Sequence, residues 1–230
     1  MNFDAILPVF LSRLIGGYAI CLGLFGPRVN EGSWRKVSLF VIAGLSAVAA
    51  YMGAPLIPSL VVGGVAILME RAIVFDLPIV KDVRFMVPLG VWLLLASEWP
   101  PAFATFPAAI AVGGSLGAML LGHSYLTAPN LAFQPFQRFT ALLFGILIVR
   151  ALTVAPVFFA DDLEMMDWVY LSARLAFGIF LPLVFSWMAW QCTKIESNQS
   201  ATGILYAVTA LIFMGELTAI FLHETRGMIV

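Results

Sequence analysis

Apolar residues run along this chain in blocks of about twenty, and the polar residues collect in short gaps between the blocks. At 1.5 Å per residue, such a block crosses a bilayer core of ~30 Å as a helix. The pattern reads as eight successive helices. The first covers Ala5–Phe25 and stops at Gly26-Pro27; the second covers Lys36–Met52 and stops at Gly53-Ala54-Pro55. The third follows at once over Leu56–Ile73. A short fourth, Phe85–Ser97, is closed by Pro100-Pro101. The rest are Phe103–Tyr125, Phe139–Phe159, Trp168–Trp190 and Ala201–His223. If the short fourth block is re-entrant or lies on the surface, seven spans remain. The expected fold is an all-α, polytopic transmembrane bundle. It is one domain over residues 1–230, with short loops and no low-complexity tract.

Composition narrows the class. Hydrophobic residues make up 62% of the chain and charged ones 11%, against about 25% charged in a water-soluble domain. Mean hydropathy is +1.01. A soluble surface needs more polar cover than this. The formal charge is −1 with no basic run, which excludes nucleic acid as a partner. Met1–Asp4 holds no basic residue, so the first block reads as a retained span and not a cleaved signal peptide.

The few charges then orient the chain. With both termini outside, the inner loops collect Arg28, Arg35, Lys36, Arg71, Lys81, Arg84, Arg138 and Lys194, and the outer side collects only Arg226. Cytoplasmic loops of bacterial inner (plasma) membrane proteins carry this excess. The outer loop between the sixth and seventh blocks is acidic, with Asp161, Asp162, Glu164 and Asp167. Trp99 and Trp168 fall at the outer interface, Trp34 and Trp190 at the inner one, as belt residues do. Gly16-Gly17 before Ala54-Pro55 also echoes Gly113-Gly114 before Ala155-Pro156, a faint trace of a parallel repeat of four spans each.

Ionisable residues inside spans are expensive and mark function by default. Four stand out: Arg13, Arg150, Arg174 and Glu216. Rise per residue puts each of them in the outer half or near the middle of the bilayer. They come from four different blocks, at depths that allow them to share one pocket. Three arginines face one glutamate there, and the acidic outer loop can reach a second arginine. The bland reading is a set of helix-to-helix ion pairs with snorkelling arginines. The sharper reading is an anion or carbonyl-binding site, because guanidinium stays charged and grips pairs of oxygens. His123, near the inner end of the fifth block, follows a small-residue stripe of Gly114, Ala118 and Gly122 that admits a close helix or a flat ligand.

Other chemistry is sparse. Cys21 and Cys192 lie near cytoplasmic ends, where thiols stay reduced, and no metal-ligand spacing accompanies them. Asn198-Gln199-Ser200 matches a glycosylation pattern but falls on the inner face. His123 and His223 lie at opposite ends of their spans, so they are not expected to hold one haem between them. No phosphate loop, zinc motif or nucleophile elbow is present.

The segment Gly122-His123-Ser124-Tyr125-Leu126-Thr127-Ala128-Pro129-Asn130-Leu131 resembles a stretch of small bacterial membrane proteins of unassigned function; it is ten of 230 residues. In topology, eight spans with both ends outside is similar to the membrane anchors of molybdopterin oxidoreductases, the polysulfide- and dimethyl-sulfoxide-reductase anchors. That likeness implies a quinol site in the outer half and other redox subunits as partners. Three functions therefore stand. One is a quinone-binding subunit of an electron-transfer complex, not catalytic alone. The second is a small transporter or lipid-handling protein with an arginine-lined anion site. The third is a purely structural subunit.

Overall fold

The structure is a computed structural model and describes residues 6–29, 32–75, 82–97, 102–127, 132–155 and 165–228. Among them every regular element is a helix. They are α1 (Ile6–Phe25), α2 (Gly32–Tyr51), α3 (Leu56–Val74), α4 (Met86–Ala96), α5 (Ala102–Thr127), α6 (Phe133–Val154), α7 (Met165–Leu175), α8 (Leu181–Lys194) and α9 (Asn198–Arg226). A wide π-helical segment, Ala176–Phe180, joins α7 to α8 without a break. Seven helical stretches are long and apolar enough to cross a membrane, counting α7 to α8 as one, and Val83–Ala96 is a shorter apolar one. The exterior fits that setting: Phe40, Tyr51, Ile57, Leu68, Leu152 and Phe180 all point outward, which water would punish and lipid does not.

Most expected boundaries fall within a few residues of the helices, and one departs further. The sixth helix begins at Phe133, not Phe139. Gln134, Gln137 and Arg138 lower the local hydropathy, yet Gln134 and Arg138 point outward while Phe136, Phe139 and Thr140 are buried. The extra turns are amphipathic rather than uniformly apolar.

α1 is the axis of the bundle. Every residue from Pro8 to Gly23 is buried, so this helix has no face left for lipid. It packs against α2, α4, α5 and α9. Close backbone approach makes that crowding feasible. A Cβ added at Gly17 would strike the backbone of Ala109, and one at Gly113 would strike the backbone of Gly17 and Tyr18. The two glycine pairs noted in the sequence thus meet each other across the α1–α5 crossing. The same contacts give directions: Gly17 lies by Ala109, and Cys21 by Gly114, so α5 runs parallel to α1. Gly16 lies by Leu94, Gly23 by Val87 and Gly26 by Val83, so α4 runs antiparallel to it. At 1.5 Å per residue the Val83–Ala96 stretch is only ~21 Å long, and it ends near the level of Gly16.

Each half of the chain closes on itself. α1 packs on α2, α2 on α3, α3 on α4 and α4 on α1; likewise α5 on α6, α6 on α8, α8 on α9 and α9 on α5. The glycine crossing joins the two rings. Buried polar groups stitch the interior: Tyr18 Oη donates to Ser38 Oγ at 2.6 Å, and Thr209 Oγ1 donates to the Ser115 carbonyl at 3.1 Å. Of the expected belt residues, Trp34 is instead fully buried, edge-on to Phe139. The amphipathic early turns of α6 bring Phe139 over it. Trp168 is exposed, Trp190 lies beneath the Lys194 ammonium at 3.7 Å, and Trp99 lies outside the described residues.

Because Gly113 meets backbone and not a side chain, a substituent there cannot be absorbed by a rotamer change. Gly113→Leu is expected to cost at least the roughly 1–3 kcal/mol of overpacking, read as a lower melting temperature in detergent. Gly44, with no atom within 4 Å of an added Cβ, provides the control: Gly44→Ala should leave the melting temperature unchanged or raise it.

Candidate functional site: a buried arginine–glutamate cluster

Four helices each bring one charge to a single point. Arg13 sits on α1 one turn before Gly16-Gly17, and Glu216 sits on α9 beside Gly215. Phe10 and Phe213, one turn earlier on each helix, meet edge to face at 5.3 Å and fix the two backbones together. Arg150 lies four residues before the end of α6, and Arg174 lies at the end of α7, just before the π segment. Arg150 is therefore nearer a helix end, and nearer the other three, than the expected midplane position.

The carboxylate is the hub. Arg13 Nη1 pairs closely with Glu216 Oε1. Arg150 Nη2 reaches Glu216 Oε2 at 3.3 Å, and Arg174 Nη2 lies 3.6 Å from the same oxygen. Relative exposure is 5% for Arg13, 2% for Arg150, 1% for Arg174 and 3% for Glu216. Arg150 is steadied by its own helix: Nη1 donates to Thr153 Oγ1 at 3.0 Å, and that hydroxyl donates to the Arg150 carbonyl at 2.8 Å. Arg174 is held differently. Its Nε and Nη2 make no hydrogen bond to any described residue. Its Nη1 occupies the space that a Cβ on Gly178 would need, and Gly178 itself lies against the backbone of Gly215.

The π segment belongs to this geometry. From Arg174 through Gly178 and Pro182 to Ser186 the buried positions recur at every fourth residue. An α-helix drifts about 40° per such step. The wider π turn takes up part of that drift and keeps the buried stripe of α7 continuous with that of α8. π turns of this kind recur at functional sites.

Among the described residues, the formal charges at this point are three positive and one negative. Two surplus positive charges in a low-dielectric interior are costly, and a buried guanidinium donor without an acceptor adds about 1–3 kcal/mol or more. Guanidinium forks are shaped for carboxylate, phosphate and other paired oxygens.

His123 does not join the cluster. It is exposed, with Nδ1 3.3 Å from Tyr206 Oη, and Tyr206 is ten residues before Glu216 on α9, ~15 Å along the axis. The stripe beside it is used for packing: Gly114 meets Cys21 and Gly122 meets Thr202 and Phe136. His223, whose Nδ1 is 3.1 Å from the Met228 carbonyl, lies seventeen residues beyond Tyr206, ~26 Å along α9. Among the described residues no three His, Cys, Asp or Glu side chains gather as a metal site.

Several participants were not visible in the sequence. Thr153 is one, Gly178 and Gly215 are two more, and each is a common residue in apolar surroundings. Asp167 is a fourth: instead of lying in an acidic loop it sits in the first turn of α7, buried, with Arg226 Nε 3.0 Å from Oδ1. Asp161, Asp162 and Glu164 lie outside the described residues.

Removing the hub should hurt more than removing a spoke. Glu216→Gln removes the carboxylate that three buried guanidinium groups share and is expected to cost about 3–5 kcal/mol. Arg13→Met lowers the surplus charge and should cost less; melting curves of the two variants in the same detergent give the order. Comparison of the chain with protein families, with curated proteins and with solved structures finds no match, so the chemistry of the site rests on its geometry.

Proposed function

We propose that this chain is a multi-pass membrane protein that binds an anionic small molecule at the three-arginine site and moves it across or within the bilayer. One observation carries the reading: Arg174 is 1% exposed, and two of its donor nitrogens make no hydrogen bond to any described residue, Nη2 having only the 3.6 Å ion pair to Glu216. A ligand with carboxylate or phosphate-type oxygens would supply those acceptors and offset the surplus charge. Arg174 would grip the ligand, Arg13 and Arg150 would share it with Glu216, and Thr153 would keep Arg150 in place.

The proposed placement is a plasma membrane, with both termini outside. The antiparallel run of α4 beside α1 and the parallel run of α5 support eight passes. The basic residues expected inside then share one side. Arg13, Arg174 and Glu216 each lie seven to ten residues from the outer end of their helix, so the site opens toward the outer leaflet.

A second reading has its own support. Glu216 is a carboxylate among guanidinium donors, the pairing that a quinone head group uses for a proton and a polarised carbonyl. As a quinone site in a redox complex, the chain would depend on partner subunits for electrons. Charge favours the first reading, since a neutral quinone leaves the two surplus charges in place.

The two readings separate in one experiment on protein in nanodiscs. At fixed ionic strength, sulfate or acetate replacing chloride should raise the melting temperature, since saturation at a hundredfold over Kd stabilises by about 2.7 kcal/mol. Arg174→Gln should abolish the rise. No anion response, together with stabilisation by a short-chain quinone, would transfer the assignment to the redox reading.

A further inference from the structure

A ligand that binds at the cluster needs a way in, and the seam between α7 and α9 is built in layers that fit one. The buried side of α7 carries Asp167, Leu171 and Arg174 in succession. At the end of the bundle where α9 finishes, Asp167 pairs with Arg226, whose side chain is 41% exposed. Beneath that pair lies a small apolar layer of Leu171, Ala219 and Leu222 with Val154 of α6. It belongs to a hydrophobic cluster separate from the main core around α1. Beneath the layer come Arg174 and Glu216, and beneath those the backbone contact of Gly178 with Gly215. Two turns of α7 separate Asp167 from Arg174, ~10 Å.

We propose that this seam is the access route to the arginine site, with the Asp167–Arg226 pair as its gate and Arg226 as the first residue an incoming anion contacts. The inference rests on the anion-site reading above and adds the route and the residues that control it. Among the described residues, the far side of the cluster is walled by α1, which is buried from Pro8 to Gly23 and pinned by the glycine crossing with α5. Toward the α7–α9 end, one thin apolar layer separates it from a half-exposed arginine. The gate is also selective by charge. With the pair closed, the Asp167 carboxylate opposes anions at the mouth and occupies Arg226. An anion that competes for Arg226 weakens its hold on Asp167 in the first turn of α7.

The hinge is present as well. α7 has eleven residues and continues into the π segment, where the regular α-helical ladder gives way to i→i+5 bonds. The contact of Gly178 with Gly215 has no side chain between the two backbones, so it serves as a fulcrum on which α7 tilts while α8 stays packed on α6 and α9. Arg174, at the end of α7, moves with it.

The test reads the gate without any ligand. Leu171→Cys is made in a chain carrying Cys21→Ala and Cys192→Ala, placed in nanodiscs, and labelled with a sulfonated, membrane-impermeant methanethiosulfonate. Labelling should be slow with the ion pair intact. Loss of a half-buried pair should speed it about tenfold in Asp167→Asn and in the milder, surface-located Arg226→Gln. The exchanged pair Asp167→Arg with Arg226→Asp should slow it again. Equal labelling rates in the parent, Asp167→Asn and Arg226→Gln, each melting as one cooperative species, would overturn the route even if sulfate still stabilises the protein. Loss of the sulfate effect with a pair-dependent labelling rate would leave the gate standing and remove the anion as its passenger.

Discussion

The structure depends on one constraint: α1 is buried on every side. A helix in lipid normally keeps one face for lipid, and hydrophobicity alone gives it no reason to prefer protein neighbours. Here the preference is created by close packing. Gly17 against Ala109, Gly113 against Gly17 and Tyr18, and Gly16 against α4 let three backbones come near enough for dispersion to accumulate along the full length. The Tyr18–Ser38 bond adds a polar tie to α2. Once α1 is enclosed, Arg13 has nowhere to snorkel. It must be neutralised where it stands, and Glu216 of α9 is the group that does so. The site is thus a consequence of the enclosure.

Neutrality, however, would need only one arginine. A single pair would satisfy Glu216, and replacing a buried pair by apolar side chains often leaves stability unchanged or improved. The chain instead supplies Arg150 and Arg174 as well, Arg150 held by a threonine one turn on and Arg174 seated in a glycine gap beside a π turn. Stability by itself does not account for three guanidinium groups on one carboxylate. Under the proposed reading the excess has a use, because Glu216 then orders the arginines without exhausting their donors.

The compatible depths of Arg13, Arg150, Arg174 and Glu216 were legible in the sequence, since charge inside an apolar block is rare and depth follows from a constant rise per residue; that they meet at one carboxylate is seen only in the structure. Which face each residue takes was legible only in part. Asp167 read as a loop acid because it neighbours Asp161, Asp162 and Glu164; its pairing with Arg226 spans fifty-nine positions and leaves no local trace. The π segment follows from an every-fourth-residue burial that hydropathy cannot separate from an ordinary span. Trp34 looked interfacial because it stands beside Arg35 and Lys36, but a single residue at a block edge can turn inward, as this one does toward Phe139. His123 attracted notice for the small-residue stripe before it, yet it faces outward, with the nearby Tyr206 hydroxyl at its ring among the described residues. The small residues Gly114 and Gly122 near it pack against Cys21, Thr202 and Phe136.

The walls of the site also differ in rigidity, and the difference follows from the sequence. Arg13 stands on a helix locked by backbone contact on two sides, whereas Arg174 stands at the end of an eleven-residue helix above a π turn. Two of the three arginine positions are therefore fixed by regular helices, and the third can shift by bending one segment. Under the proposed reading this asymmetry is useful. Ligand oxygens meet a prepared pair of donors, and the guanidinium with unfilled donors is the one on the mobile wall. Closing that wall brings the last charge to the ligand; opening it takes the charge away. Binding strength and access are then governed by the same helix, which a rigid ring of three arginines could not achieve.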